Sequence, residues 1–276
     1  MKIGISTFVN DDTIDTVTLA KAVEERGFDS LSLAEHTHIP ASRESAYPMG
    51  GELPDMYYRT LDPFVTLAAA AAVTSRIELV TGIALLIQRD PIITAKEAAS
   101  IDVISNGRFV LGVGAGWNIE ELRHHGTDPK TRGALLDERI EAIKALWTQE
   151  PAEYHGKYVD FDASYIRPKP VRKPHPPILI GGASPATVKR VIRHNAGWIS
   201  NPLPVENLTK FIGEMRDGLG HDVPLAQFGT PIDPEYWRAS EELGYDDIAL
   251  LLPTKPRDDS LRLLDEYAAA VAQYRG

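Results

Sequence analysis

The sequence predicts an α/β fold, a (β/α)8 TIM-type barrel with an insertion between the fourth helix and the fifth strand. Short apolar strands alternate with longer amphipathic segments eight times along the 276 residues, and this alternation favours parallel strand pairing. Eight such pairs in about 250 residues fit a closed barrel better than an open, Rossmann-like sheet, which is the second interpretation. No internal repeat or linker divides the chain, so residues 1–276 are expected to form one domain.

The first four strand–helix pairs are defined by apolar runs and by residues typical of helix boundaries. Asp62 is a candidate N-cap before Pro63 at the first helical position, and Gly27 and Gly107 are stop signals. The predicted strands are 2–8, 28–34, 77–84 and 108–113, and the predicted helices are 13–26, 61–74, 91–104 and 131–147.

The last four pairs follow a break in this rhythm, between Gln149 and Pro177. A Pro opens three of the predicted helices, where its missing N–H costs least. The predicted strands are 178–181, 197–200, 224–229 and 248–252, and the predicted helices are 185–194, 204–219, 234–243 and 258–274.

Two connections are longer than ordinary loops and rich in aromatic residues. Residues 35–60 follow the second strand and residues 149–177 precede the fifth strand. Their aromatic residues are Tyr47, Tyr57, Tyr58, Tyr154, Tyr158, Phe161 and Tyr165. Such loops either cover an apolar ligand on the catalytic face or only plug the barrel ends.

Composition excludes several classes of function. The chain carries 29 Lys and Arg against 39 Asp and Glu, a net charge of −10, so neither a nucleic acid nor an anionic membrane is expected as partner. The absence of cysteine excludes disulfides, thiolate nucleophiles, Cys-ligated zinc and iron–sulfur clusters. The N-terminal segment reads as a short strand rather than a signal peptide, and a cytoplasmic protein is expected.

Titratable side chains follow the second predicted strand at the rim where ligands bind in parallel α/β proteins. Glu35, His36 and His38 end an apolar run there. A histidine in this place is a candidate general acid or base, and its alternative role is structural. His36-x-His38 is also compatible with a metal-dependent hydrolase, but the other strand ends offer no complete ligand set, so no metal site is expected.

Glycine-rich strand ends supply the other candidate binding residues. Gly112-x-Gly114-x-Gly116 lacks the spacing of a dinucleotide fingerprint. It is interpreted as a strand end where small residues let a flat ligand approach the backbone, followed by Trp117 and Asn118. Gly82 ends the third strand and is a similar approach point.

The fifth strand leads into a turn of the type that binds anions. Gly181 and Gly182 are followed by Ala183 and Ser184, and Pro185 opens the next helix. Glycine permits close approach of the backbone, and the helix N-terminus offers free N–H groups to a phosphate. The alternative is an ordinary βα turn with a Ser N-cap.

Four segments together resemble one known family. They are EHTHIPASR (35–43), GGELPDMYYRTLDPF (50–64), TGIALLIQRDPIITAKEAASIDVISNGRFVLGVGAGWN (81–118) and PPILIGGASP (176–185). They are similar to the luciferase-like monooxygenase superfamily, in its branch of probable coenzyme F420-dependent oxidoreductases. The resemblance covers residues 1 to about 202, and it implies a TIM-like barrel with an insertion after strand four.

The resemblance also implies a cofactor site at the C-terminal mouth. It implies a non-prolyl cis peptide within Thr81-Gly82-Ile83 behind the deazaflavin ring, and His36 beside the acidic Glu35 in the catalytic position. The cofactor phosphate is expected on Gly181, Gly182, Ala183 and Ser184, with the ribityl chain near Gly114, Gly116, Trp117 and Asn118.

The resemblance implies hydride transfer between coenzyme F420 and a small organic substrate, with FMN-dependent monooxygenation as the alternative. Sugar-phosphate dehydrogenases of this type carry an aromatic residue where this chain has Pro40 and a Glu where it has Trp117. Sugar phosphates are therefore not the expected substrates. The aromatic loops favour a neutral or weakly polar molecule, and a homodimer is expected.

Overall fold

Eight parallel strands close into a barrel in this computed structural model, which describes residues 1–276. The first strand pairs with the last one, and β3 pairs with β5, so the sheet has no open edge. The strands are β1 (Lys2–Thr7), β2 (Ser30–Leu33), β3 (Glu78–Thr81), β4 (Ala84–Leu85), β5 (Phe109–Gly114), β6 (Ala152–His155), β7 (Asp160–Ser164), β8 (Ile178–Gly181), β9 (Gly197–Ser200), β10 (Leu225–Thr230) and β11 (Asp247–Leu251). The short β4 continues β3, and β6 and β7 form a separate hairpin.

Nine α-helices connect or follow these strands. They are α1 (Thr16–Glu25), α2 (Pro63–Val73), α3 (Pro91–Ile104), α4 (Ile119–His124), α5 (Arg132–Thr148), α6 (Pro185–His194), α7 (Val205–Leu219), α8 (Pro234–Leu243) and α9 (Arg257–Arg275). The predicted N-cap is confirmed, because the Asp62 carboxylate accepts from the N–H groups of Phe64 and Val65 at 2.9 and 3.0 Å. None of the nine helices combines the length and apolar character that crossing a bilayer requires.

The main hydrophobic core lies between the strands and the helices rather than inside the barrel. It contains 54 buried residues, whereas the barrel interior holds a cluster of only four, Val80, Val110, Leu179 and Ile199. Strand alternation explains the division, because successive side chains point to opposite faces. The inward positions of β1 and β2 are filled by glycine and serine, so the interior remains partly open.

The predicted barrel and its insertion between the fourth helix and the fifth strand are confirmed. The sequence pattern did not reveal α4 or the hairpin of β6 and β7. The hairpin packs on α5, where the Tyr154 hydroxyl donates to Glu141 at 2.7 Å and Glu138 accepts from the N–H groups of Tyr158 and Val159. The interpretation of residues 149–177 as a cover over the ligand is therefore wrong, because their aromatic side chains do not line the mouth.

Candidate active site at the C-terminal end of the barrel

A cleft of about 630 Å³ opens where the barrel strands end. Eleven of the thirteen residues predicted for the site line it: Glu35, His36, Gly82, Ile83, Gly114, Gly116, Trp117, Gly181, Gly182, Ala183 and Ser184. This is the face on which TIM-barrel enzymes carry their active sites. Residues that are spread over 150 positions of the sequence therefore lie around one cleft.

Thr81 and Asn118 do not line the cleft. The Thr81 hydroxyl donates to the Gly112 carbonyl at 2.8 Å within the barrel wall. Asn118 is buried, and its Oδ1 accepts from the Glu121 N–H at 3.2 Å as the N-cap of α4. Both side chains support the neighbouring backbone instead of facing a ligand.

The peptide between Gly82 and Ile83 is cis, within the segment where the resemblance placed it. The Ile83 side chain turns into the barrel and lies where Cβ atoms on Gly114 and Gly181 would sit, 1.9 and 2.9 Å from them. These two glycines are thus required by Ile83, and not only by ligand approach as the sequence suggested. The result is a flat floor made of backbone and one aliphatic side chain.

His36 forms a buried pair with a carboxylate that the sequence analysis missed. Its Nδ1 lies 2.9 Å from Oε2 of Glu121 on α4, and both side chains are buried. A carboxylate that accepts from Nδ1–H fixes the ring orientation and leaves Nε2 available as a proton acceptor. Oε1 of Glu121 has no partner, so this carboxylate is committed to His36 alone.

A local signal for Glu121 exists in the chain. Asn118 and Glu121 have the spacing of a capping box, in which an N-cap residue is followed three positions later by Glu. The glutamate instead turns to His36.

Glu35, the other predicted acidic residue, supports the floor of the cleft. Its Oε1 accepts from Arg89 Nε at 2.7 Å, and its second oxygen accepts from the N–H of Leu85, two residues beyond Ile83. Burial raises the pKa of Glu35, and the Arg89 guanidinium opposes that effect. The Arg89 side chain also contacts Asp62 and Glu97, so the ion pair belongs to a network that anchors the cis segment.

Aromatic side chains form one wall of the cleft. The rings of Phe8 and Tyr57 lie 4.8 Å apart, and His36 lies 5.1 Å from Tyr57 and 5.8 Å from Trp117. Tyr47 and Tyr57 share a hydroxyl contact at 3.3 Å. Burial raises the pKa of Tyr57, so its hydroxyl stays protonated. The loop of residues 35–60 therefore contributes to the cleft, as one of the two interpretations expected.

The turn after β8 forms the opposite, polar end of the cleft. Gly182 has φ +112°, a conformation that favours glycine, and its carbonyl accepts from Trp198 Nε1 at 2.7 Å. The Ser184 hydroxyl accepts from the Thr187 N–H at 3.2 Å as the N-cap of α6. The positive end of a ten-residue helix thus faces this part of the cleft.

Three cations that sequence reasoning missed surround this end. Lys130, Arg132 and Arg190 all line the cleft. Arg190 is paired with Asp137, with Nε 2.6 Å from Oδ1, whereas no carboxylate lies within 4.0 Å of the Lys130 or Arg132 side chains. Two uncompensated positive charges beside a helix N-terminus suit an anionic group.

The second predicted histidine, His38, lies outside the pair. Its Nε2 is 2.9 Å from Nδ1 of His124, and the two rings are stacked 5.2 Å apart. No group of three His, Asp or Glu side chains is placed to hold a metal ion. The geometry gives no support to the metal-dependent hydrolase alternative.

Sequence comparison identifies the family to which this barrel belongs. A sequence model described as luciferase-like monooxygenase matches residues 3–232, most of the chain. The chain belongs to the luciferase-like monooxygenase family. Members of this family are oxidoreductases, which agrees with the resemblance stated above.

Two relatives show the range of similarity in this family. An uncharacterized protein from Mycobacterium tuberculosis is 40% identical over 283 residues, 99% of each chain. An FMNH(2)-dependent dimethylsulfone monooxygenase from Pseudomonas putida is 32% identical over 129 residues, 46% of this chain and 36% of that protein.

Solved structures share the fold. The monooxygenase RslO1 from Streptomyces bottropensis superposes with a TM-score of 0.80 at 22% identity, over 100% of both chains. The coenzyme F420 dependent tetrahydromethanopterin reductase from Methanopyrus kandleri superposes with a TM-score of 0.74 at 16% identity, over 99% of this chain and 98% of that one. At these identities the likeness establishes the barrel architecture alone.

Proposed function

We propose that this protein is a coenzyme F420-dependent oxidoreductase that transfers a hydride between the cofactor and a small, neutral organic molecule. The observation that carries the proposal is the buried His36–Glu121 pair beside the Gly82–Ile83 floor. A paired histidine at the edge of a flat, apolar surface supplies the proton that must accompany hydride transfer.

In this proposal His36 handles the proton at Nε2. Glu121 accepts from Nδ1–H and stabilises the charged imidazolium, so Nε2 accepts a proton when a hydroxyl is oxidised and donates one when a carbonyl is reduced. Phe8, Tyr57 and Trp117 exclude water and contact the apolar part of the substrate. When bound, the deazaflavin supplies the two-electron chemistry at its ring.

The residues of the cleft fit an elongated, anionic cofactor. Gly182, Ala183 and the N-terminus of α6 would hold its phosphate, and Lys130 and Arg132 would neutralise further negative charge. Gly114 and Ile83 would face the ring and its chain. Coenzyme F420 carries a phosphodiester followed by glutamates, so it uses more positive charge than the single phosphate of FMN does.

The alternative is an FMN-dependent monooxygenase of the same family. It is supported by the FMNH(2)-dependent relative that is 32% identical over 129 residues. In that case His36 and Glu121 would control a proton during oxygen chemistry instead of hydride transfer to a substrate.

Titration with both cofactors separates the two functions. We expect the purified protein to bind coenzyme F420 more tightly than FMN in a fluorescence titration. The double variant Lys130→Gln/Arg132→Gln should weaken F420 binding more than FMN binding, because the tail of F420 carries additional negative charges that these two cations would neutralise. Lys21→Gln/Lys210→Gln, which removes the same charge from exposed sites outside the cleft, is the control. Copurification of FMN with no affinity for F420 would reverse the proposal.

We also propose that the protein forms a homodimer through the exposed apolar side chains at the N-terminal ends of α2 and α3. Val65 is 71% exposed and Ile93 is 60% exposed, and Leu61 and Ile92 adjoin them. Helices α2 and α3 pack against each other, and exposed apolar side chains on neighbouring helices are typical of an interaction surface. Ile93→Glu should produce a monomer in light scattering, whereas Val17→Glu on α1 should not; a wild-type monomer would contradict the proposal.

A further inference from the structure

A second cavity, of about 410 Å³, opens at the N-terminal end of the barrel, on the other side of the floor of the cleft. We call it the basal cavity. One side of it consists of the four interior aliphatic side chains, Val80, Val110, Leu179 and Ile199. The other side carries Ser30, Ser32 and Asp247 from β2 and β11. The cavity is therefore amphipathic, with an apolar wall facing a polar one.

The Asp247 carboxylate forms no ion pair within 4.0 Å, although Lys2 lies near enough to act on it electrostatically. Its one hydrogen bond comes from the Ser30 hydroxyl, at 3.2 Å from Oδ1. The two nearby cations are both held by Glu78, whose oxygens lie 2.9 Å from Lys2 Nζ and 3.2 Å from an Arg172 nitrogen. A half-buried carboxylate without a counter-charge loses part of its hydration and gains no ion pair in return.

The Ser32 hydroxyl is the second polar group without a partner. Ser32 is 2% exposed and borders the cavity, but its Oγ is closed to solvent and has no hydrogen-bond partner. Ser32 lies directly beneath Gly82, because a Cβ at Gly82 would sit 2.3 Å from its Oγ.

We propose that the basal cavity binds a small organic ammonium ion, whose charged group pairs with Asp247 and whose hydrocarbon body contacts the aliphatic wall. An ammonium group is a cation with three donors and no acceptor, so it supplies the counter-charge that the Asp247 carboxylate lacks. Water alone would form hydrogen bonds with the polar wall, but it would leave the apolar surface of the aliphatic wall hydrated. The ligand would lie one layer of side chains below the floor of the cleft, and the inference does not depend on the proposed function.

Calorimetric titration with cyclohexylammonium tests the site, with cyclohexanol as the neutral ligand of the same shape. We expect saturable binding of the ammonium ion to the wild type at pH 8 and much weaker binding of the alcohol. Asp247→Asn, which keeps the shape and removes the charge, should weaken binding at least tenfold. Ser32→Ala, which removes a hydroxyl that is closed off from the cavity, should leave the affinity unchanged.

Two controls locate the binding. Asp222→Asn removes an exposed carboxylate elsewhere on the surface and should leave the affinity unchanged. Addition of F420 or FMN should not displace the ammonium ion, because those cofactors are expected in the cleft. Absence of saturable binding, equal affinity in Asp247→Asn, or displacement by either cofactor would overturn the proposal.

The pH dependence supplies an independent check. Burial raises the pKa of Asp247 to about 7, so affinity for the cation should fall about tenfold from pH 8 to pH 6 as the carboxyl is protonated. The charged groups around it are Lys2, Arg172, Glu78, Asp29 and Asp246. A pH-independent affinity would contradict the pairing with Asp247.

Discussion

At the C-terminal end of the barrel the polar side chains come mainly from loops and meet partners, whereas at the N-terminal end they come from strands and remain partly unpaired. His36 is bonded to Glu121 and Glu35 to Arg89 in the upper cleft. In the basal cavity Ser32 has no partner and Asp247 forms no ion pair. One barrel thus presents two cavities whose polar groups arise in different ways.

The difference shows what loops add to a barrel. A strand fixes every second side chain toward the interior, so a strand residue has little freedom to find a partner. A loop or a short helix such as α4 can move a carboxylate toward a histidine from elsewhere in the chain. Catalytic residues are therefore concentrated at the C-terminal end of the barrel, where the loops that follow the strands lie.

The largest expected effect is at His36 in the upper cleft. If Nε2 transfers the substrate proton, His36→Ala should lower single-turnover hydride transfer by roughly 10²–10⁴-fold, the usual range for general acid–base catalysis. Cofactor affinity should change much less. His38→Ala removes a neighbouring histidine that is bonded to His124 and should retain the rate. Equal rates for His36→Ala and wild type across pH would remove His36 from the mechanism.

A smaller effect is expected when the partner of His36 is changed. Glu121→Gln keeps the shape but withdraws the negative charge from Nδ1–H, and we expect about a 10- to 100-fold loss of turnover with an altered pH–rate profile. The control is Glu120→Gln on the same helix. Burial acts to raise the pKa of Glu120, but hydrogen bonds from Ser45 dominate and lower it to about 2. A pH–rate profile that is the same in Glu121→Gln as in the wild type would assign Glu121 a purely structural role.

The contrast between local and distant contacts also explains what could be predicted from the sequence. Helices that begin with an N-cap and a proline, such as Pro91–Ile104 and Pro185–His194, were predicted to the residue. The six-residue α4 is too short to show a helical period. Glu121 meets His36 across 85 positions of the chain, and no local pattern encodes such a contact.

The phosphate end of the cleft tests whether the β8–α6 turn binds the cofactor. Gly182→Val places a branched side chain at φ +112°, with its Cβ 2.9 Å from Thr187 Oγ1, and should weaken cofactor binding about tenfold or more while the barrel stays folded. Gly220→Val is the matched control. Gly220 also has positive φ, +73°, but has nothing within 4 Å and lies outside the cleft. If both variants bind the cofactor like wild type, the turn is only structural.

The smallest effect concerns the basal cavity and is one of stability. The pKa of Asp247 is raised to about 7 in the folded protein by burial, above the ordinary value of about 3.9 that it has when unfolded. The folded state therefore binds more protons between these values, and the free energy of unfolding falls as pH rises from about 4 to 7. Asp247→Asn does not titrate. It should thus gain stability over wild type as pH rises, by about 1–2 kcal/mol between pH 5 and pH 8 once partial exposure is allowed for.

Thermal unfolding of both proteins across this range should show a difference in Tm of a few degrees that grows with pH and levels off above pH 8. Asp222→Asn, at an exposed carboxylate, should show no such trend. A constant difference in Tm would mean that solvent reaches Asp247 freely. Asp247 would then not be a desolvated, unpaired charge, and the two ends of the barrel would not differ in this respect.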